Sequence, residues 1–170
     1  MRILLTLLGL VVIVAYSVLG AFLMNDWPVV AASGMPLDTT IADMKVEDQQ
    51  YTTIPGLFFA ALGILFALIW GATTVWRRAK LPNFAALSLW AGILALGAPA
   101  YIFTSLANLN SVGDTYVDWN SGAAFILEAP LYVTSGIAFV IAVGALTVVL
   151  AKASAGKTSR GQWHGDREIA

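Results

Sequence analysis

Four long apolar runs separated by polar stretches set the pattern of this chain. They cover residues 3–24, 54–76, 83–103 and 130–151. A helix that crosses a bilayer needs roughly 20 apolar residues, and each run meets that length. Pro55 stands at the first turn of the second run and Pro82 just before the third. A missing N–H is harmless at such positions. The pattern predicts an all-α membrane protein: a four-transmembrane-helix bundle over 1–151, followed by a flexible tail over 152–170. The first run, after Arg2 and with small residues near Ala15 and Ser17, also resembles a signal peptide. It exceeds the roughly 7–15 residues of a signal's apolar segment, so a retained helix is expected.

Composition agrees. Of 170 residues, 59% are hydrophobic and 11% charged, against about 25% charged in soluble domains. Mean hydropathy is +0.80. There is no cysteine and a single histidine, His164. Disulfides, thiolate metal sites, cysteine nucleophiles and multi-histidine sites within one chain are therefore excluded. No metal and no cofactor is expected.

Charge sets the expected orientation. Arg2, Arg77, Arg78, Lys80, Lys152, Lys157, Arg160 and Arg167 fall on one side of the four runs. Only Lys45 falls on the other, with Asp26, Asp38, Asp43, Glu47, Asp48, Asp114 and Asp118. Basic residues mark the cytoplasmic side. Both termini are thus expected in the cytoplasm, with two acidic extracytoplasmic loops, in a bacterial inner (plasma) membrane. The short 77–82 connection makes runs two and three an antiparallel hairpin. Trp27, Tyr51, Tyr101, Tyr116, Trp119 and Tyr132 cluster near the outer boundary, and Trp70, Trp76 and Trp90 near the inner one, as interfacial belts do. Trp27, Tyr116 and Trp119 are also candidate partner anchors, since aromatics dominate interface hot spots.

Residues 122–151 carry one charge, Glu128. Two readings follow. If the fourth helix starts at Pro130, it spans the bilayer unaided, and Glu128 sits just before its N-terminus, at the interface, favoured by the helix dipole. Residues 122–127, GAAFIL, then lie along the membrane or pack back as a lid. In the sharper reading, Glu128 lies at the depth where Pro99 frees the Ala95 carbonyl. Glu128, Pro99, Thr104, Ser105 and Thr134 then form a polar pocket for a cation, a proton or a quinone-like head group. A carboxylate inside hydrocarbon is usually functional.

Small residues allow helices to approach closely in lipid. The candidate packing positions are Gly63, Ala67 and Gly71 in the second run, Ser88 and Gly92 (with Ala91 and Ala95) in the third, and Gly136, Ala138, Ala142 and Gly144 in the fourth. The first run, rich in Leu and Val, suits a lipid-facing role. In the first loop, LDTTIADMKVEDQQY reads as a short helix with Asp38 as N-cap and Leu37, Ile41 and Met44 on one face. Both acidic loops lack the calcium-loop spacing, and GKTS in the tail lacks the upstream glycine of a phosphate loop.

Without a catalytic constellation, the expected function is a non-catalytic structural or accessory subunit of a larger membrane protein complex, energy-converting or envelope-building. Its partners would be the lipid bilayer and other membrane subunits, with no nucleic acid. The alternatives are a small transporter or channel component using Glu128, or a quinone- or lipid-binding membrane module.

Overall fold

A computed structural model describes residues 2–75 and 81–165, with side chains over 3–75 and 81–154. Among them are six helices and no strand: α1 (Arg2–Met24), α2 (Asp26–Ser33), α3 (Leu37–Val46), α4 (Ile54–Val75), α5 (Asn83–Thr115) and α6 (Ser121–Gly165). Four segments of the described residues are long and apolar enough to cross a membrane: Ile3–Ser33, Ile54–Val75, Asn83–Thr115 and Ser121–Ser154. The expected all-helical, four-span architecture is present. The basic 77–80 segment and the end of the tail lie outside the described residues; the first part of the expected tail continues α6.

The helices outrun the apolar runs. At about 1.5 Å per residue, the 33 residues of α5 reach roughly 50 Å, against about 30 Å of hydrocarbon. Its last turns, with the start of α6, carry α2 and α3 as a cap. Val29, Ala32, Met44, Val112 and Ala124 form the cap's core, with Leu37, Tyr51, Leu109, Tyr116 and Trp119 packed around it. Leu37, Ile41 and Met44 do share the inward side of α3. Its N-cap is Pro36, however, so Asp38 lies within the first turn, where an acid still meets the positive end of the dipole. At the end of α2, Gly34 adopts a left-handed conformation (φ 69°) and donates its N–H to Val30 O, a glycine stop that a Cβ would strain.

The most extensive contacts pair α5 with α6 and α1 with α4. Helix α1 also touches α5, whereas α4 and α6 do not pack together. The sequence suggested a lipid-facing first helix, but α1 has one lipid-facing side and one packed side. Thr6, Ile13, Ser17 and Gly20 are buried along it. The reason is a match of small residues to large or polar ones. A Cβ on Gly63 would lie 1.8 Å from Ser17 Oγ, one on Gly20 2.3 Å from the Phe59 ring, and one on Gly9 2.6 Å from the Trp70 ring. These backbones approach only because no side chain intervenes.

Of the tryptophans expected at the inner boundary, Trp76 lies outside the described residues, and Trp70 and Trp90 belong to this packing. Trp70 is buried and donates its indole N–H to Ala86 O (2.8 Å), and half-buried Trp90 donates to Gly9 O (3.0 Å). An indole needs a partner once buried, and each finds a carbonyl on a neighbouring helix. Together they line an apolar cleft of about 730 Å³ between α1, α4 and α5.

Candidate functional site

Three tiers of buried polar groups lie along α5. The lowest is beside Pro99. Gly97 has no side chain, and a Cβ there would lie 2.4 Å from the Tyr16 ring. Tyr16 can therefore reach across to α6, where its hydroxyl meets Ser135 Oγ at 2.7 Å. Ser135 donates to Leu94 O (2.8 Å) and accepts from the Ala98 N–H (3.1 Å). Its own proton being used, the Tyr16 bond is donated by Tyr16. Ser135 thus bridges a donor and an acceptor four residues apart in α5, one residue before Pro99. A side chain inserted into the i→i−4 ladder next to a proline is a recognised cause of helix bending.

The middle tier holds Glu128. It does not precede the fourth helix. Helix α6 starts at Ser121 and passes through Pro130, so Glu128 is in its second turn and is only 5% exposed. The expected helix start at Pro130 fails because the helix is capped earlier. Asn120 Oδ1 accepts the Ala123 N–H (3.0 Å), as an N-cap side chain does, and the Asn120 N–H is held by Ala32 O (2.8 Å). Residues 122–127 are helical, with Ala124 in the cap core and Phe125 and Ile126 facing out. Pro130 is exposed. Inside a helix it removes one bond, to the carbonyl of Ile126.

Glu128 Oε2 accepts the Tyr132 hydroxyl at 2.9 Å. The buried Tyr101 hydroxyl also faces the carboxylate, but its proton goes to Leu23 O at 2.7 Å. Oε1 is left buried with no hydrogen-bond partner. The two tyrosines belong to an aromatic cluster: Phe59 and Tyr132 stand edge-on to Tyr101, and Phe125 stacks on Tyr132.

The upper tier ties the cap down. Asn108 accepts the Thr52 N–H (3.0 Å) and donates to Thr52 O (2.8 Å) and Met24 O (3.2 Å). One side-chain amide thereby pairs both polar groups of an extended residue. Ser111 donates to Gln50 O (3.1 Å). Tyr51 hydrogen-bonds to Asp26, and Tyr116 to Asp43 (2.6 Å). Burial, and then the adjoining carboxylate, push both phenols above their ordinary value.

The remaining sequence candidates are scattered. Ser105 is buried near Tyr101 and Glu128. Thr104 is half-buried and donates to Ala100 O, while Thr134 is exposed and donates to Pro130 O. Pro99 is exposed. Gly63, Ala67 and Gly71 lie on the α4 face toward α1, and Ser88 donates to Ala142 O on α6 (3.1 Å). Gly92, Gly136 and Gly144 face open space. Trp27 is exposed and stacked on Phe22. Tyr116 and Trp119 are turned into the cap, Trp119 lying over Gly113.

Sequence reasoning passed over Tyr16, Gly97 and Ser135, took Asn108 as one of the oxygen-bearing residues of the second outer loop, and treated Tyr101 and Tyr132 as boundary aromatics. One signal was available. Ala124, Glu128, Leu131, Ser135, Ala138, Ala142 and Ala145 recur at alternating steps of four and three, and these are the inward positions of α6. Among the described residues, no group of three or more His, Cys, Asp or Glu side chains is arranged to hold a metal ion. No family model matches the chain, and no curated protein or solved structure is similar to it.

Proposed function

We propose that this protein is a non-catalytic accessory subunit of a larger membrane complex, energy-converting or envelope-building, in a bacterial plasma membrane. The observation that carries this is the open space at Gly92, Gly136 and Gly144. Small residues in spans are the usual seats of close helix contact, and among the described residues nothing lies within 4 Å of where a Cβ on these three would stand. The exposed Phe22–Trp27 stack adds an aromatic anchor beside the cap. Both termini face the cytoplasm, since eight of nine basic residues lie on that side, and the acidic cap is extracytoplasmic. The test is purification from native membranes in a mild detergent with mass spectrometry of what accompanies the chain. Stoichiometric larger partners are expected, and Gly144→Leu should release them without unfolding the protein. Recovery as a free monomer alone would overturn the reading.

A second reading, a transporter or channel component using Glu128, is supported by the burial of that carboxylate with one open oxygen. Proteoliposome flux that is unaffected by Glu128→Gln would remove it.

A further inference from the structure

Among the described residues two buried side-chain oxygens lack a hydrogen-bond partner, Asn25 Oδ1 and Glu128 Oε1, and only the second belongs to an ionisable group. The Glu128 side chain is 95% buried, taking 5% exposure from the whole. One carboxylate oxygen has its donor; the other, Oε1, has none. Leaving a buried acceptor of this kind unmatched is costly, and more so for a charged group. The two phenols beside it cannot supply the missing donor. Tyr132 spends its proton on Oε2 and Tyr101 spends its own on Leu23 O. Both phenol oxygens keep lone pairs and offer no further hydrogen. With both phenol hydrogens used, what would satisfy Oε1 is positive charge.

That charge does not come from the described part of the chain. Lys45 is exposed on α3, and Lys152 lies over the Phe84 ring, about 36 Å along α6 from Glu128 at 1.5 Å per residue. Among the described residues no ion pair involves Glu128. We infer that Glu128 Oε1, with the phenol oxygens of Tyr101 and Tyr132, binds one small monovalent cation. The ligand class follows from the donors. All are hard oxygens, and only one carries a charge. A single carboxylate balances one positive charge, whereas calcium sites gather six to eight oxygens, generally from several carboxylates, and magnesium sites keep several waters. Neutralising the carboxylate also removes the cost of holding a lone charge buried beside the two tyrosine rings. The site shares Glu128 with the transporter reading but needs no flux: binding without flux removes that reading and leaves this one.

A ligand that binds only the folded state raises its stability with concentration. The experiment uses the full chain in nanodiscs of zwitterionic lipid. Thermal unfolding is followed by tryptophan fluorescence in sodium, potassium or choline chloride at equal ionic strength, with equilibrium binding of radioactive sodium alongside. The expected result is a saturable rise of the midpoint in sodium or potassium over choline, and no rise for Glu128→Gln. Tyr101→Phe, which keeps the ring and loses one ligand oxygen, should need roughly ten-fold more cation for half the effect. It also serves as the test if Glu128→Gln does not fold. Equal midpoints in all three salts for the unaltered protein would overturn the proposal, as would a shift that both variants retain in full. Capture of a partner's lysine at Glu128 by crosslinking, with no salt effect, would overturn it too.

Discussion

Ser135→Ala is the sharpest test of the polar tiers, because it removes one oxygen and almost no volume. That oxygen serves three groups: the Tyr16 hydroxyl, the Ala98 N–H and the Leu94 carbonyl. Two of the three can recover. Leu94 O and the Ala98 N–H are four residues apart, the spacing of an ordinary helical bond, so they can close on each other once Ser135 withdraws. Only the half-buried Tyr16 hydroxyl is orphaned. An unsatisfied buried donor costs about 1–3 kcal/mol, and interhelical bonds in membranes average about 0.6 and reach about 1.7 kcal/mol. The expected loss is therefore about 1–2 kcal/mol, not three times a single bond. Unfolding in mixed micelles of dodecyl maltoside and SDS, followed by circular dichroism, gives the number. A double-mutant cycle with Tyr16→Phe isolates the shared term; it should be about 0.6–1.7 kcal/mol, with the second substitution costing less once the first is made. A coupling within about 0.3 kcal/mol of zero, the usual additivity error, would mean that Tyr16 and Ser135 do not act together and that the tier has been misassigned.

Other outcomes follow from the same geometry. Gly63→Ala should destabilise the α1–α4 pair by about 1–3 kcal/mol, as overpacking does, because the new methyl would meet Ser17; Gly144→Ala, in open space, should be neutral or stabilise by about 0.5–1 kcal/mol. Both are read from the same micellar unfolding curves. Asn108→Ala should leave the spans intact but free residues 50–53, seen as lost hydrogen-exchange protection of the Thr52 amide. The raised Tyr51 and Tyr116 phenols mean that the folded state keeps those protons longer than the unfolded chain, whose tyrosines titrate near about 10. Their stabilisation is thus complete below about pH 10 and lost as pH climbs above it. The thermal midpoint should fall on alkaline titration, and less steeply in Tyr51→Phe and Tyr116→Phe. The chain has no cysteine, so Val117→Cys, at a position 98% exposed, should be labelled by a membrane-impermeant maleimide only from outside the cell.

The existence of the spans was legible because lipid demands long apolar runs, and nothing else in a sequence imitates them. Their ends were not. Apolar character thins after Phe103, and Pro130 reads as a helix start, whereas the helices stop and start where Thr115 and Asn120 end their hydrogen-bond ladders. The cap covers the difference. Glu128 stood out in the sequence as the one charge of its run, but Pro130 was given more authority than Asn120 as a helix start. An exposed proline inside a helix costs little more than one bond when its neighbours hold their places. Packing faces were half legible. In lipid, both sides of a helix are apolar, so hydrophobic periodicity says little about which side is inward. Small and polar residues carry that information, and they carry it ambiguously. Gly63 and Gly136 look alike in sequence; one lies against Ser17 and the other faces open space.

The cap has a consequence for how the chain is made. Its core joins Val29, Ala32 and Met44 to Ala124, and Asn120 is fastened to Ala32 O. Synthesis proceeds from the N-terminus, at about 5–20 residues per second. From Met44 to Ala124 is 80 residues, so α2 and α3 wait roughly 4–16 s for the segment that completes their shelter. During that interval Val112 and its neighbours on α5 arrive first and cover only part of the apolar face. The cap therefore cannot close before the fourth helix begins, and a ribosome stalled ahead of that helix would leave this protein partly open and ready for a chaperone or a protease.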